Sequence, residues 1–81
     1  PPMSHVPHEL AEEFPEYKEK MHALKMESAH FARLSDEYHE VNRAIHRMQE
    51  RIEPVSEDVE EEMRKKRLAL KDEIASILKS A

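Results

Sequence analysis

The segment FARLSDEYHEVNRAIHRM, Phe31 to Met48, carries its apolar residues at the spacing of an amphipathic helix. Phe31, Tyr38 and Ile45 stand seven residues apart, and three places after each comes another apolar residue: Leu34, Val41 and Met48. These are the a and d positions of a coiled-coil heptad, which pack against a neighbouring helix. The pattern therefore predicts a long helix whose apolar face needs a helical partner.

The same spacing extends beyond this segment, to Tyr17 and Leu24 before it and Ile52 after it. Pro15 suits the first turn of a helix, where its missing N–H is not needed, and no further proline occurs until Pro54. Glycine is absent from the whole chain. One continuous first helix is therefore predicted between these two prolines.

A second helix is predicted after Pro54. Ser56 is a suitable N-cap, and acidic residues follow it in the first turn, so this helix should run from about Glu57 to about Lys79. Its apolar face again follows a heptad at Met63, Leu70 and Ile77, with Ile74 and Val59 alongside. Leu68 and Leu78 widen this face. The short connection at residues 53–55 forces the two helices to run antiparallel.

The predicted fold is thus all-α, an antiparallel two-helix hairpin with a long first helix, a shorter second helix and coiled-coil packing. Residues 14–81 form the single helical domain, and residues 1–13 are expected to be a flexible N-terminal extension. Pro1 and Pro2 ahead of Met3 have the character of residues left from cloning, which would make Met3 the natural start.

Composition argues against several classes of protein. Eighty-one residues make one domain at most, with a thin core for which oligomerisation is a common remedy. The absence of glycine argues against phosphate-binding loops and dinucleotide turns, and the absence of cysteine removes disulfides and cysteine zinc sites. No apolar run is long enough to span a bilayer and no secretory signal is visible, so a cytoplasmic protein without membrane contact is expected.

The two predicted helices differ in length. A second helix of roughly 23 residues spans about 35 Å and covers the first helix only as far as about residues 30–34. Apolar residues beyond that point have no partner in their own chain, which usually marks a protein contact. A homo-oligomer is therefore predicted, most simply a dimer that closes a four-helix bundle, with an interface at Tyr17, Met21, Leu24, Ser28 and Phe31. The alternative is a monomer with a frayed N-terminal third.

The segment EEEMRKKR, Glu60 to Arg67, places three acidic residues before four basic ones. An acid four residues before a base stabilises a helix surface, so three ion pairs are predicted here: Glu60 with Arg64, Glu61 with Lys65, and Glu62 with Lys66. The alternative is a polyanion contact for nucleic acid. Its candidate residues are Arg64, Lys65, Lys66, Arg67 and Lys71.

Six histidines raise the question of a metal site. His39 and His46 share a helix face but lie about 10 Å apart along the helix axis, too far for one ion. Solvent-facing histidines are expected instead, with a pH-sensitive contact through His30 as the alternative. The carboxylates and serines have no catalytic context, so no enzyme activity, metal or cofactor is predicted.

Three segments combine into a more specific pattern, which consists of FPEY at 14–17, AHFARL at 29–34 with DEYHE at 36–40 and Asn42, and KRLALKDEI at 66–74. Together they resemble the YdcH-like family of small bacterial proteins, over about residues 14–80. The resemblance implies a short helical hairpin from a bacterial cytoplasm, in a family without an established activity. It transfers no catalytic residue and does not include the residues before Phe14.

These observations predict a non-enzymatic, oligomeric interaction or adaptor module whose specific role is unknown. Its expected partners are a second copy of the chain and an unidentified protein. The alternative is a nucleic-acid-associated regulator that uses the basic residues of Arg64 to Arg67.

Overall fold

The computed structural model describes residues 7–50 and 55–80, and all regular structure in these two ranges is helical. In chain order the helices are α1 (Leu10–Glu13), a 3₁₀ turn (Pro15–Tyr17), α2 (Lys18–Glu27), α3 (Ala29–Gln49) and α4 (Glu57–Ser80). The all-α prediction is therefore confirmed. Pro1, Pro2, Met3, Ile52 and the predicted turn at residues 53–54 lie outside the described residues.

Helix α3 contains the heptad from which the fold was predicted. Its N-terminus is capped by Ser28, whose Oγ accepts a hydrogen bond from the Phe31 N–H at 3.1 Å. Arg47 lies in its last turn, where a positive charge interacts favourably with the helix dipole. Five of the six predicted a and d residues lie in the core, since Phe31, Leu34, Tyr38, Val41 and Ile45 are all buried, whereas Met48 is half-buried.

Helix α4 starts at the predicted residue. Ser56 Oγ accepts a hydrogen bond from the Val59 N–H at 3.2 Å, and three acidic residues occupy the first turn. The helix buries Leu70, Ile74 and Leu78.

Helices α3 and α4 pack against each other and run antiparallel. Near the start of α3, His30 Nε2 lies 3.4 Å from Glu73 Oε2 toward the end of α4. Further along α3, Asn42 Oδ1 accepts a hydrogen bond from Arg67 Nη1 at 2.7 Å. This pair of helices has the predicted hairpin direction but is only part of the molecule, because further helices precede it.

The predicted continuous first helix differs from the structure, which interrupts it at Ser28. This residue is extended, with φ −129° and ψ 113°. Its N–H donates to the Leu24 carbonyl and ends α2, while its hydroxyl caps α3. The physical reason for the break is packing, since α2 turns back onto the α3–α4 pair and places Met21 in the core.

This turn changes the environment of the residues predicted to project beyond the hairpin. Met21 is only 6% exposed, and Tyr17 and Leu24 are partly buried against the same core. The apolar strip that the sequence leaves uncovered is thus covered by the chain itself. The length argument fails because it assumes a straight helix through Ser28.

The described part of the predicted flexible extension, residues 7–13, also packs on α3 and α4. Leu10 is buried in α1, and Phe14 at its C-terminal end is buried beside it in the same core. His8 has a left-handed backbone, with φ 67°.

Among residues 7–50 and 55–80, none of the helices combines the length and the hydrophobicity of a membrane span.

Candidate interaction site

One face of the α3–α4 pair is occupied by residues 7–27, here called the docked segment. Its apolar contribution to the core comes chiefly from Leu10, Phe14 and Met21, which are all buried. Burial of such side chains stabilises a contact by about 1.5–3 kcal/mol each before the entropy of ordering is subtracted. The segment thus packs on the helix pair through these apolar side chains.

The start of the docked segment is held through its backbone. Asn42 of α3 is 1% exposed; its Nδ2 donates to the Pro7 carbonyl at 2.8 Å, and its Oδ1 accepts from Arg67. The Tyr38 hydroxyl donates to the next carbonyl, that of His8, at 2.6 Å. Two buried side chains of α3 therefore fix two successive backbone groups of the segment.

Burial also changes the acidity of Tyr38. It raises the pKa of the hydroxyl to about 12, and the nearby charge of Glu13 acts in the same direction. The hydroxyl therefore stays protonated and keeps its role as hydrogen-bond donor well above neutral pH.

The end of α1 is held by charge. Lys71 of α4 donates a hydrogen bond to Glu13 Oε1, and His8 Nδ1 lies 3.2 Å from the other carboxylate oxygen. The hydrogen bond from Lys71 lowers the pKa of Glu13, although partial burial opposes that effect. Glu13 is consequently an anion that pairs α1 with α4.

A second carboxylate of the docked segment faces α3. Glu9 Oε1 lies 2.6 Å from His39 Nδ1, an ion-pair distance without the alignment of a hydrogen bond. Glu9 Oε2 is 4.0 Å from Arg43 Nε. The segment therefore presents acidic groups toward basic groups of both helices of the pair.

Helix α2 makes its own polar contact with α4. Lys20 Nζ donates to the Leu78 carbonyl at 2.6 Å, and it also lies 5.7 Å from the centroid of the Tyr17 ring. A cation at the C-terminal end of a helix pairs with carbonyls that lack intrahelical donors. This contact connects α2 to the end of α4.

Two of the clefts in the described part of the molecule lie beside the helix pair or the segment docked on it. One, of about 630 Å³, lies around the junction of α1 and α2, and its lining includes Leu10, Met21, His22 and His39. The other, of about 510 Å³, lies between α3 and α4. Its lining combines apolar and charged side chains: Val41, Ala44, Met63, Glu40, Arg43, Arg47 and Lys66.

A family model described as Protein of unknown function (DUF465) matches residues 31–78, more than half of the chain. The chain belongs to the DUF465 family. The YdcH-like family is a DUF465 family, so the resemblance seen in the sequence is confirmed. No curated protein and no solved structure matches the chain.

The DUF465 match coincides with the α3–α4 pair. It begins at Phe31 in the first turn of α3 and ends at Leu78 in the last turn of α4. The docked segment and Ser28 precede the matched residues. The family region of this chain is therefore the helix pair that receives the docked segment.

The structure does not bring the predicted interface residues together on an open surface. Phe31 is fully buried in the core and Met21 is nearly so, while Tyr17 and Leu24 are partly buried. Ser28 is the extended residue between α2 and α3. These residues instead mark where α2 turns and packs within its own chain, and their role between chains stays a prediction.

The basic residues predicted to contact polyanions are divided among several intramolecular contacts. Arg64 donates to Glu60 and lies 3.6 Å from Glu61, and Lys65 lies 4.0 Å from Glu62. Of the three predicted ion pairs, the one between Glu60 and Arg64 is present, and the other contacts have a spacing of three residues. Arg67 and Lys71 face the docked-segment side and bind Asn42 and Glu13. Lys66 lines the cleft between α3 and α4.

Among the described residues there is no group of three or more side chains placed to hold a metal ion. His30 is exposed and pairs with Glu73 across the two helices. His8 and His39 pair with acidic residues of the docked segment.

Sequence patterns did not assign the polar contacts to the docked segment. The contact between Asn42 and Arg67 does have a signal in the sequence. Asn42 lies between Tyr38 and Ile45 on the apolar face of α3. Arg67 lies between Met63 and Leu70 on the apolar face of α4. Polar residues at such positions of two packed helices are expected to bond each other. Nothing comparable indicates that Pro7 and His8 supply backbone acceptors.

Proposed function

We propose that this DUF465 protein is a non-enzymatic interaction module whose α3–α4 pair binds an acidic amphipathic helical segment. The observation that carries the proposal is the docked segment itself, which buries Leu10 and Phe14 while its carboxylates face Lys71 and His39. Apolar anchors at i and i+4, flanked by charge, are the usual means by which a helix binds a groove. The chain thus contains both the groove and a ligand for it.

Self-association belongs to the same proposal. A groove that accepts a segment of its own chain presents the same chemistry to the identical segment of a second copy. Coiled-coil packing between chains and a homodimer are therefore proposed as the assembled form. A bacterial cytoplasmic location is proposed from the family resemblance.

A peptide-binding experiment tests the module. The full chain with Leu10→Asp, Phe14→Asp and Met21→Asp should release its own segment and leave the helix pair free. A fluorescent peptide of residues 7–27 should then bind this variant more tightly than the unmodified chain, in which the resident segment competes. Fluorescence anisotropy measures the binding, and circular dichroism checks that the variant remains helical.

The matched control is the same peptide with Leu10→Asp and Phe14→Asp, which keeps the length and most of the sequence. It should bind much more weakly, because two of the three buried apolar anchors are missing. If the unmodified peptide failed to bind a helical released variant, the helix-binding function would be refuted.

The nucleic-acid alternative has less support. Arg64, Arg67 and Lys71 are already engaged by Glu60, Asn42 and Glu13, and these contacts would have to be exchanged for phosphate. The proposed interaction module requires no change in these contacts.

A further inference from the structure

The a positions of the heptad continue through the point where the structure breaks the helix, whereas the d positions before that point, Lys20 and Glu27, are charged. Tyr17, Leu24, Phe31 and Tyr38 keep the seven-residue spacing across Ser28. Neither glycine nor proline occurs between Pro15 and Pro54. The sequence therefore supports a straight helix through a residue that the structure holds in an extended conformation.

A straight helix at Ser28 would exchange a few local contacts of the conformation that the structure shows. In the broken form its Oγ accepts from the Phe31 N–H, and its N–H and carbonyl bond to Leu24 and Ala32. Straightening the helix removes the cap but adds intrahelical bonds for the end of α2 and the start of α3. The larger cost of straightening is that the docked segment leaves its own helix pair.

The same segment can form equivalent contacts with the helix pair of a second copy, which compensates for the contacts that it loses in its own chain. We infer that two copies of the chain exchange their docked segments by straightening at Ser28, so that α2 and α3 become one helix over residues 18–49. Each segment then occupies the α3–α4 pair of the other chain. This inference rests on the proposed helix-binding function and specifies its partner.

The contacts of the broken form favour a second copy as that partner. The groove binds the Pro7 carbonyl through Asn42, the His8 carbonyl through Tyr38 and the Glu13 carboxylate through Lys71. An identical chain supplies all of these groups at the same spacing. Exchange of an identical element is a low-cost route to a dimer because it adds few new contacts and loses few.

The exchange also places the predicted interface between chains. The straightened α2 extends about 15 Å beyond the start of α3, which carries Tyr17, Met21 and Leu24 away from their own core. They then pack on the partner copy. The coiled-coil signal in the sequence and the broken helix in the structure are accounted for as two states of one chain.

Cross-linking between two different variants tests the exchange directly. The chain has no cysteine, so Glu13→Cys in one preparation and Lys71→Cys in another each introduce a single thiol. The substitutions remove the same ion pair from the monomer and from the exchanged dimer. After the two variants are mixed, unfolded and refolded together at high concentration, a short bismaleimide should yield a covalent heterodimer.

Lys65→Cys replaces Lys71→Cys in the control mixture, since Lys65 lies on α4 but pairs with Glu62 rather than with the docked segment. This mixture should yield only background dimer. A heterodimer yield equal to that of the control would overturn the exchange.

Hinge variants give an independent test by sedimentation velocity over a range of concentrations. Ser28→Ala removes the cap of the broken form. It should shift the equilibrium of each chain about fivefold toward the straight helix, and it should therefore lower the dissociation constant of the dimer about 25-fold. Ala29→Pro is compatible with the broken form, because proline is tolerated in the first turn of a helix and favours an extended residue before it. It disrupts a straight helix through Ser28, so only monomer should remain. Ser28→Thr retains the capping hydroxyl and should match the unmodified chain.

The same monomer–dimer balance in Ser28→Ala and Ala29→Pro would overturn the inference. That result can be separated from failure of the proposed function. If the peptide of residues 7–27 binds the released variant while the hinge variants and mixed cross-links show no exchange, the module stands and the second copy is not its partner.

Discussion

At the scale of single residues, Asn42 joins three parts of the molecule. Its amide bonds the Pro7 backbone and the Arg67 guanidinium from a position that is almost completely buried. A buried amide is costly unless its donor and acceptor groups are paired, so these bonds specify one arrangement of segment and helices.

Asn42→Ala should destabilise the fold by about 1–3 kcal/mol, because it leaves the Pro7 carbonyl and a cation near the core without their partner. Chemical denaturation followed by circular dichroism measures the change. Gln49→Ala, which removes an exposed amide from the same helix, is the matched control and should change stability by less than about 0.5 kcal/mol. Equal effects of the two substitutions would contradict the role assigned to Asn42.

Glu13 makes the stability of the fold dependent on pH. Its folded-state pKa is lowered from 4.5, chiefly by the hydrogen bond from Lys71. A carboxyl with a lowered pKa stabilises the folded state at pH above the unfolded value, and this contribution disappears as the pH falls through the folded value. The contact between α1 and α4 should therefore weaken in acid below pH 4.5.

Lys71→Met should raise the pKa of Glu13 toward its ordinary value, because the largest cause of the lowering is removed. Stability at neutral pH should fall by about 1 kcal/mol or less, since the pair is partly exposed. An NMR titration of the Glu13 carboxyl measures the pKa, and urea unfolding measures the stability. Lys65→Met is the control on the same helix and should leave the Glu13 pKa unchanged; a shift of similar size in both variants would refute the assignment.

At the scale of the elements, the two helices of the DUF465 match could be predicted from the sequence. The helices of the docked segment and the break at Ser28 could not. The a and d residues of α3 and the Ser56 cap of α4 are local signals, and the structure uses them as expected. The break at Ser28 depends instead on contacts distant in sequence, such as Lys20 with Leu78. Local propensity favours a continuous helix there, and tertiary packing overrides it.

The short α1 shows the same limitation. Four residues cannot form a stable helix alone, so a local reading of Leu10–Glu13 indicates a loose segment. Its helix exists because Leu10 and Phe14 pack against a surface made by α3 and α4. The candidate site was missed for this reason, since α1 depends on packing with residues distant in sequence.

At the scale of the whole molecule, charge decides what the surface attracts. The net charge is −5, and much of the basic segment of α4 is paired within the chain. Long-range attraction for nucleic acid is consequently small.

DNA and RNA should bind no more tightly than typical non-specific ligands, with a Kd of about 10⁻⁴ M or weaker at physiological salt. Fluorescence anisotropy with labelled oligonucleotides over a salt series measures this. Lys65→Gln with Lys66→Gln tests whether the basic residues contribute to any residual binding. Tight binding that falls steeply with salt and is lost in the double variant would instead support the nucleic-acid alternative.

The docked segment has a consequence for competition in a crowded cell. In the proposed module, the segment is covalently joined to its own binding surface and would compete with other ligands at an effective concentration of about millimolar. A helix from another protein would have to bind tightly enough to displace the segment, so the proposed function predicts that weakly binding amphipathic sequences are excluded even when they are abundant. Under the proposed function, occupancy by the docked segment would make the surface selective without any additional residue.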